Sequence, residues 1–343
     1  YWRNSWKYQA RAYRHCYWDN GTILANLSAA AAARKVPTKI ILGFVDATLS
    51  ELLGLNPDGE APLSLVALGD CAPSKAGVSP SIEPLVFETA PLSKRQVDYP
   101  AMRAMHEASS LETEQEVAAW RGSAEKAEGK RIKDDGERET RRFALKPLEA
   151  GALPRDTIEE VIVRRGSTRE FAREAISFAQ LSTMLESATA GIDADFLGAA
   201  EPSLNDLYLI VHAVEGLAPG AYFYRREERA LQLLKQGDFR REAGHLGLGQ
   251  EIPADCSVNV YFLADLNRTL ERFGNRGYRA AQLEAAIMGG KLYLAAYAQR
   301  LGASGLTFFD DDVTEFFSPH AAGKSVMFLI ALGKSAKRGQ LNG

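Results

Sequence analysis

The sequence predicts an α+β fold in which one structural unit occurs twice. Helical and strand-like patterns follow each other irregularly, without the regular βαβ order of a parallel sheet. Residues 278–312 read as a long helix, a glycine turn and a short strand, and residues 13–46 repeat this pattern at an offset of 265 residues. The length of 343 residues also suggests about two domains.

The internal repeat extends beyond the long helix. The aligned pairs are Arg11 with Arg276, Tyr13 with Tyr278, Arg14 with Arg279, Leu27 with Leu292, Phe44 with Phe309, and Asp46 with Asp311. The offset then falls by one, so that Glu51 aligns with Glu315 and residues 65–69 align with residues 329–333. Chance similarity of alanine-rich helices could explain part of this agreement. A common register through to the terminal strand-like run favours two copies of one domain.

Composition narrows the class of protein. The hydrophobic content of 46% is ample for a packed core, and the net charge of −3 gives no support for a nucleic-acid partner. The three cysteines have no metal-binding spacing and favour reduced thiols in a cytoplasmic protein. No run of 18 apolar residues is present, so no membrane span is expected.

Three regions follow from the repeat. Residues 1–70 are expected to form the C-terminal part of a truncated first copy, because they lack a counterpart of what precedes Glu271 in the second. Residues 71–150 form a linker or crossing segment, in which residues 121–142 are mixed in charge and nearly free of apolar side chains, as in a disordered stretch or a solvated helix. Residues 151–343 form the second copy. The chain is therefore expected to be a fragment of a longer tandem protein.

Local signals predict the elements in order. An amphipathic helix is expected over residues 101–120, a helix start at Asp156 with Glu159, and a capping box at Ser177 with Gln180 before a helix that stops at Gly191. Strands are predicted over residues 207–214, 220–224, 231–234, 258–263, 307–309 and 326–332.

The long helix is apolar on nearly every face, which is typical of a buried helix. Gly289 and Gly290 destabilise a helix interior, so we expect them to let another backbone come close. Glu284 is a candidate buried carboxylate, and Arg279 or Arg276 is its expected partner.

The segment Arg164-Arg165-Gly166-Ser167-Thr168-Arg169 is the strongest candidate for a binding site. Three guanidinium groups and a hydroxyl near a helix end can bind an anion such as phosphate, because arginine presents a planar fork to the oxygens. The alternative is a basic helix C-terminus that faces solvent and complements the helix dipole.

Two further stretches carry candidate groups. Residues 302–305 could bring backbone N–H groups close to a flat ligand, or Gly302 could end the helix in the left-handed conformation. Asp310, Asp311 and Asp312 could bind a metal, but acids in the first turn of a helix are the favoured interpretation. The five histidines are scattered without metal-binding spacing.

Several motifs in combination resemble the nitroreductase family, specifically its SagB/ThcOx-type dehydrogenase branch, which includes tandem-domain members. The resemblance depends on Arg165-Gly166-Ser167-Thr168-Arg169, Val214-Glu215-Gly216-Leu217, Arg276-Gly277-Tyr278-Arg279, the long helix, and Ala331-Leu332-Gly333.

The resemblance implies a mostly antiparallel sheet wrapped by helices, with FMN at an interface between paired domains. Arg165, Ser167 and Arg169 would hold the FMN phosphate and ribityl chain. The backbone from Gly302 to Gly305 would approach the isoalloxazine ring. A basic residue after the last strand would assist at the phosphate, with Lys334, Lys337 and Arg338 as candidates. Pairing would be a pseudo-dimer within the chain or a homodimer, and the substrate a small molecule or a peptide.

The sequence also departs from the family pattern. Pro202-Ser203 stands too close to the next strand to match the usual Pro-Ser-Ala-Gly loop, and the His, Gln and Asn of the family's central helix are absent. The first copy has Pro37-Thr38-Lys39 in place of the glycine turn, so it is expected to be a pairing scaffold. Three hypotheses therefore stand: an FMN-dependent enzyme that oxidises azoline rings in peptides, an NAD(P)H-dependent nitro or enone reductase, and a flavin-free homologue that binds a peptide or partner.

Overall fold

The computed structural model describes residues 2–70, 83–86, 88, 90, 95, 97–125, 141–198 and 202–336. The α-helices are α1 (Trp2–Tyr8), α2 (Ala12–Ala33), α3 (Asp46–Leu52), α4 (Pro100–Ala108), α5 (Glu114–Glu125), α6 (Ile158–Arg164), α7 (Phe178–Thr189), α8 (Arg240–Leu246), α9 (Glu251–Asp255), α10 (Leu266–Phe273), α11 (Arg276–Ala298) and α12 (Asp310–Phe317). The strands are β1 (Thr38–Ile41), β2 (Leu65–Leu68), β3 (Arg142–Ala144), β4 (Ile176–Ser177), β5 (Asn205–Val211), β6 (Val214–Glu215), β7 (Gly220–Arg225), β8 (Ala230–Gln236), β9 (Val258–Ala264), β10 (Gly302–Gly305) and β11 (Ser325–Gly333).

A seven-stranded sheet forms the centre of the molecule. Its strand order is β10-β11-β9-β5-β7-β8-β3, and every neighbouring pair is antiparallel. Strand β9 is buried at every position, which agrees with a strand covered on both faces. The predicted α+β fold with a mostly antiparallel sheet and flanking helices is therefore confirmed.

Helices α2 and α11 pack side by side in parallel and are held by small residues. A Cβ atom at Gly21 would lie 2.4 Å from the Ala286 Cβ, and one at Gly290 would lie 2.5 Å from the Ala25 Cβ. Earlier along both helices, the Trp18 indole N–H donates to the Gln282 side-chain oxygen at 2.7 Å. The expectation that the glycine pair allows a close backbone approach is thus confirmed at Gly290.

Two segments of the chain share an order of elements. Residues 12–68 run α2, β1, α3, β2, and residues 276–333 run α11, β10, α12, β11. Strand pairing also agrees, because Lys39 faces Ala67 in the first pair and their sequence counterparts Ser304 and Ala331 face each other in the second. This common register supports the internal repeat over these residues.

Reciprocal ion clusters join the two segments. Asp46 at the start of α3 accepts from Arg276 at 2.6 Å and Arg279 at 2.8 Å, both on α11. Asp310 at the start of α12 accepts from Arg14 of α2 at 2.7 Å and also from Arg11.

The structural counterpart of Asp46 is therefore Asp310, and the predicted match with Asp311 is wrong. The aromatic neighbours shift in the same way. The Arg276 guanidinium lies 4.7 Å from the Phe44 ring centre, and the Arg14 guanidinium lies 5.3 Å from that of Phe308, not Phe309. The one-residue slip in the repeat thus precedes the short helices α3 and α12, whereas the sequence alignment placed it within them.

Glu284 has partners other than the expected arginines. Its buried carboxylate accepts from the Ser203 hydroxyl at 2.5 Å and from the backbone N–H groups of Leu204 and Asn205 at 2.9 Å. Burial raises the pKa of this carboxyl, while the hydrogen bonds oppose that shift. The carboxylate therefore anchors the loop before β5, and Ser203 belongs to that anchor.

Several local predictions shift in position. The Ser177–Gln180 capping box is confirmed, whereas α6 is capped by Thr157 with Glu160, because Asp156 instead binds Arg164 at 2.6 Å. The single helix predicted over residues 101–120 is two helices, α4 and α5. The strand predicted over residues 307–309 lies earlier, at β10. Of the predicted charged segment, residues 126–140 lie outside the described residues.

Candidate functional site

The arginine-rich segment follows the end of α6 and lies along the sheet. The Thr168 N–H donates to the Ala303 carbonyl of β10 at 2.9 Å, and the Ala172 N–H donates to the Lys334 carbonyl at 2.9 Å. These backbone bonds place residues 165–169 beside β10 and the last turns of α11.

Arg165 is the partly buried member of this segment. Its guanidinium lies 5.4 Å from the ring centre of Tyr293, within the range of a cation–π contact. Its Nε atom is buried and has no hydrogen-bond partner among the described residues. A buried guanidinium N–H without an acceptor is unfavourable, so an anion that approaches Arg165 would satisfy it.

Ser167 and Arg169 are exposed to solvent. The Ser167 Oγ lies 3.3 Å from the Tyr293 hydroxyl. The segment therefore offers one partly buried cation, one exposed cation and one hydroxyl within five residues, and each of these types of group binds phosphate oxygens.

Gly302 and Gly305 occupy the two ends of β10. A Cβ at Gly302 would lie 2.3 Å from the Thr168 Oγ1, so the absence of a side chain allows the arginine-rich segment to dock. Gly302 is not the left-handed residue that ends α11; Arg300 has that conformation, with φ of 58°. The alternative interpretation of Gly302 as a helix cap is therefore wrong.

Tyr293 connects the candidate residues, and the sequence did not identify it as part of the site. Its hydroxyl accepts a hydrogen bond from the Gly305 N–H and lies beside Ser167, while its ring lies beneath Arg165. One turn further along α11, the Tyr297 hydroxyl lies 3.1 Å from the Thr168 Oγ1. The available signal was the helical spacing of these two tyrosines, which places both on one face of α11.

Aromatic side chains fill the space next to Gly305. A Cβ at Gly305 would lie 3.2 Å from the Phe328 ring, and a Cβ at Gly289 would lie 2.6 Å from it. The ring centres of Phe328 and Trp18 are 5.0 Å apart. Tyr293 and Phe328 therefore occupy the space beside Gly305, where a flat ring was expected, whereas the buried Arg165 Nε leaves a donor without an acceptor at the anion end of the site.

The remaining candidates do not join this site in the described residues. Lys337 and Arg338 lie outside them, and Lys334 binds Glu174 at 2.9 Å. Two clefts lie elsewhere: one of about 430 Å³ between α12 and the start of β11, and one of about 310 Å³ between α5 and residues 43–45.

The aspartate run belongs to α12. Asp310 accepts hydrogen bonds from Arg11 and Arg14, and Asp312 binds His245 at 2.7 Å, so the predicted role in the first helical turn is confirmed. Among the residues that the structure describes, no group of three or more His, Cys, Asp or Glu side chains is placed to hold a metal ion. No helix in that same part of the chain has the length and apolarity needed to cross a membrane.

Comparisons with known proteins agree with this fold. A solved structure of a nitroreductase-family protein from Anabaena variabilis matches 97% of this chain and 67% of its own, with a TM-score of 0.74 and 25% identity. A nitroreductase-family protein of Methanocaldococcus jannaschii is 26% identical over 165 residues, which are 46% of this chain and 82% of that protein. The Escherichia coli microcin synthetase complex matches 61% of this chain and 80% of its own, with 15% identity and a TM-score of 0.45, from which nothing follows about substrate.

The family model described as "Nitroreductase family" matches residues 162–334. The match begins in α6, includes the arginine-rich segment and α11, and ends just after β11. It covers half of the chain. This chain therefore belongs to the nitroreductase family.

Proposed function

We propose that this protein is an FMN-dependent oxidoreductase whose cofactor phosphate binds at residues 165–169. The observation that carries the proposal is the buried Nε of Arg165, which has no acceptor among the described residues. An anion bound at this guanidinium would supply the acceptor. Membership in the nitroreductase family supports the choice of FMN as that anion.

Each residue of the segment has a distinct part in binding. Arg165 would contact two phosphate oxygens through its planar fork. Ser167 would donate its hydroxyl proton to a phosphate or ribityl oxygen, and Arg169 would add a second positive charge from the solvent side. Bound FMN would supply the hydride chemistry, and the chain would supply position and polarity.

The substrate proposal depends on the SagB/ThcOx resemblance of the sequence. We propose an azoline ring in a peptide as the favoured substrate, oxidised to an azole. An NAD(P)H-dependent reduction of nitro or enone compounds is the close alternative. Incubation of the FMN-loaded protein with a thiazoline peptide, followed by mass spectrometry, separates the two: a loss of two mass units supports oxidation.

A flavin-free binding protein is the second candidate. The observation that favours it is the Tyr293 hydroxyl, which accepts from the Gly305 N–H where a flavin ring was expected. Phe328 fills the adjoining space. In that case the arginine-rich segment would bind an anionic group of a peptide or partner.

Titration of the purified protein with FMN, followed by quenching of flavin fluorescence, tests the proposal. We expect Arg165→Ala to weaken FMN binding by about 10- to 100-fold, because a hydrogen bond to a charged group contributes about 1.5–3 kcal/mol. Arg173→Ala is the control, since Arg173 is an exposed arginine whose charge is already paired with Asp255. Equal affinity for the two variants would contradict the phosphate assignment, and no binding by the unmodified protein would support the flavin-free candidate.

A further inference from the structure

We infer that Tyr293 occupies the flavin-ring position of this site as an internal ligand, and that it sets the affinity for FMN because it must leave before the ring can enter. The inference rests on the proposed function and specifies the residue that controls access to that site. It concerns a buried side chain of α11.

The contacts of Tyr293 go to three groups that the resemblance assigns to the cofactor. Its hydroxyl accepts from the Gly305 N–H and lies 3.3 Å from the Ser167 Oγ, and its ring centre is 5.4 Å from the Arg165 guanidinium. A phenol presents a flat π face to a cation and a polar oxygen to a backbone donor. The resemblance assigns Arg165 and Ser167 to the phosphate and ribityl chain, and the Gly305 backbone to the isoalloxazine ring, whose oxygen and nitrogen atoms also accept from backbone donors. The side chain and the cofactor therefore compete for one place.

The neighbouring tyrosine shows that these contacts are specific to Tyr293. Tyr297 lies on the same face of α11, but its hydroxyl meets Thr168, whose backbone N–H is bonded to the Ala303 carbonyl of β10. Tyr297 therefore helps to hold the arginine-rich segment against β10. The Gly305 N–H donates to Tyr293 instead. Substitution of Tyr297 is thus a matched control for substitution of Tyr293.

Helix pairing does not require a tyrosine at this position. The offset of 265 residues that places Gly21 against Ala286 and Ala25 against Gly290 gives Ser28 as the counterpart of Tyr293 on α2. The two paired helices therefore carry a small polar residue and a tyrosine at equivalent positions. The tyrosine is on the copy that carries the arginine-rich segment.

The site opens to solvent next to Tyr293. Gly166 and Ser167 are exposed, whereas Tyr293 itself is only 5% exposed. Loss of the bond to the Gly305 N–H would release the side chain from β10 and return a backbone donor to the site. A ligand that accepts from the Gly305 N–H would then gain the hydrogen bond that the tyrosine loses.

The test compares FMN dissociation constants of the unmodified protein, Tyr293→Phe, Tyr293→Ala and the control Tyr297→Phe, measured by quenching of flavin fluorescence. Tyr293→Phe keeps the ring and frees the Gly305 N–H, so we expect about 2- to 10-fold tighter binding, as the net worth of one hydrogen bond allows. Tyr293→Ala also removes the ring, so we expect a gain of more than about tenfold. Tyr297→Phe should leave the affinity unchanged or lower it.

Circular dichroism and thermal unfolding show which variants fold. If Tyr293→Ala fails to fold, the comparison with Tyr293→Phe still tests the inference. Affinities for FMN that are unchanged or lower in the Tyr293 variants, while the unmodified protein binds, would overturn the inference and leave the proposed function intact. Absence of FMN binding in every folded protein would overturn both. Tighter binding in the Tyr293 variants alone supports both.

Discussion

The buried carboxylate of Asp46 lies between two buried arginines. It is 5% exposed and binds Arg276 and Arg279, which are 1% and 0% exposed. In Asp46→Asn two buried guanidinium groups would face each other without the carboxylate between them. We expect the free energy of unfolding to fall by about 3–5 kcal/mol, the usual effect of removing one partner from a buried ion pair, as measured by denaturant unfolding.

Asp310→Asn is the matched control for that change. Asp310 binds Arg11 and Arg14 in the corresponding arrangement, but its side chain is 35% exposed and that of Arg11 is 38% exposed. Solvent screens these charges, so the loss should be clearly smaller than for Asp46→Asn. An equal loss for both variants would show that the two clusters do not differ in burial as described.

At the scale of elements, the α2–α11 contact depends on glycine. A helical glycine replaced by alanine normally gains up to about 1 kcal/mol, because alanine has the higher helix propensity. At Gly21 the new Cβ would lie 2.4 Å from the Ala286 Cβ and 2.9 Å from the Ala286 backbone. We expect Gly21→Ala to lower the free energy of unfolding by about 1–3 kcal/mol through overpacking.

Gly122 of α5 provides the opposite case. A Cβ at Gly122 meets nothing within 4 Å, so Gly122→Ala should show the propensity gain alone and stabilise the protein. Denaturant unfolding of both variants gives effects of opposite sign if the helices are as close as the structure shows. A stabilising Gly21→Ala would contradict this packing.

The elements that the sequence predicted well carry strong local signals. The capping box at Ser177 needs only residues three apart, and β9 is an apolar run interrupted only by Asn259. Strand β10, with the sequence Gly-Ala-Ser-Gly, has little intrinsic strand propensity and owes its conformation to pairing with β11, so its position was missed. Asp156 and Thr157 are both good N-cap residues. The Asp156 carboxylate binds Arg300 at 2.8 Å, and Thr157 caps the helix.

The same limit applies to the site. Arg165, Ser167 and Gly305 could be predicted from motif residues, and the structure brings all three to one place. Tyr293 contacts all three, but a motif could not predict this, because its role depends on how α11 packs against the arginine-rich segment. The partners of Glu284 were mistaken for a related reason, since the loop that supplies them is distant in sequence.

At the scale of the molecule, residues 12–68 and 276–333 are joined by reciprocal ion pairs. Arg276 and Arg279 of α11 bind Asp46 of α3. Arg11 and Arg14, at the start of α2, bind Asp310 of α12. Each segment therefore depends on the other for neutralisation of its buried charge. This reciprocity supports a pseudo-dimer within one chain, with the candidate site on the half that carries α6.

Buried histidines give the whole molecule a dependence on pH. Burial, with a nearby arginine as a lesser cause, lowers the pKa of His15 to about 4, of His106 to about 3 and of His212 to about 4. The unfolded chain takes up protons near the ordinary pKa of 6.5, and the folded chain does not until lower pH. Stability is therefore fully present above about pH 6.5 and falls as the pH drops toward 4.

The expected slope follows from the number of groups. Each histidine lowers the free energy of unfolding by up to about 1.4 kcal/mol per pH unit in this window, and the raised pKa of Glu284 opposes them as a single group. Denaturant unfolding between about pH 7.5 and about pH 5 measures the slope. His106→Gln should reduce this slope, because it removes one of the three groups whose pKa is lowered. A stability that stays constant through this range would mean that the three imidazoles accept protons in the folded state, and hence that water reaches them.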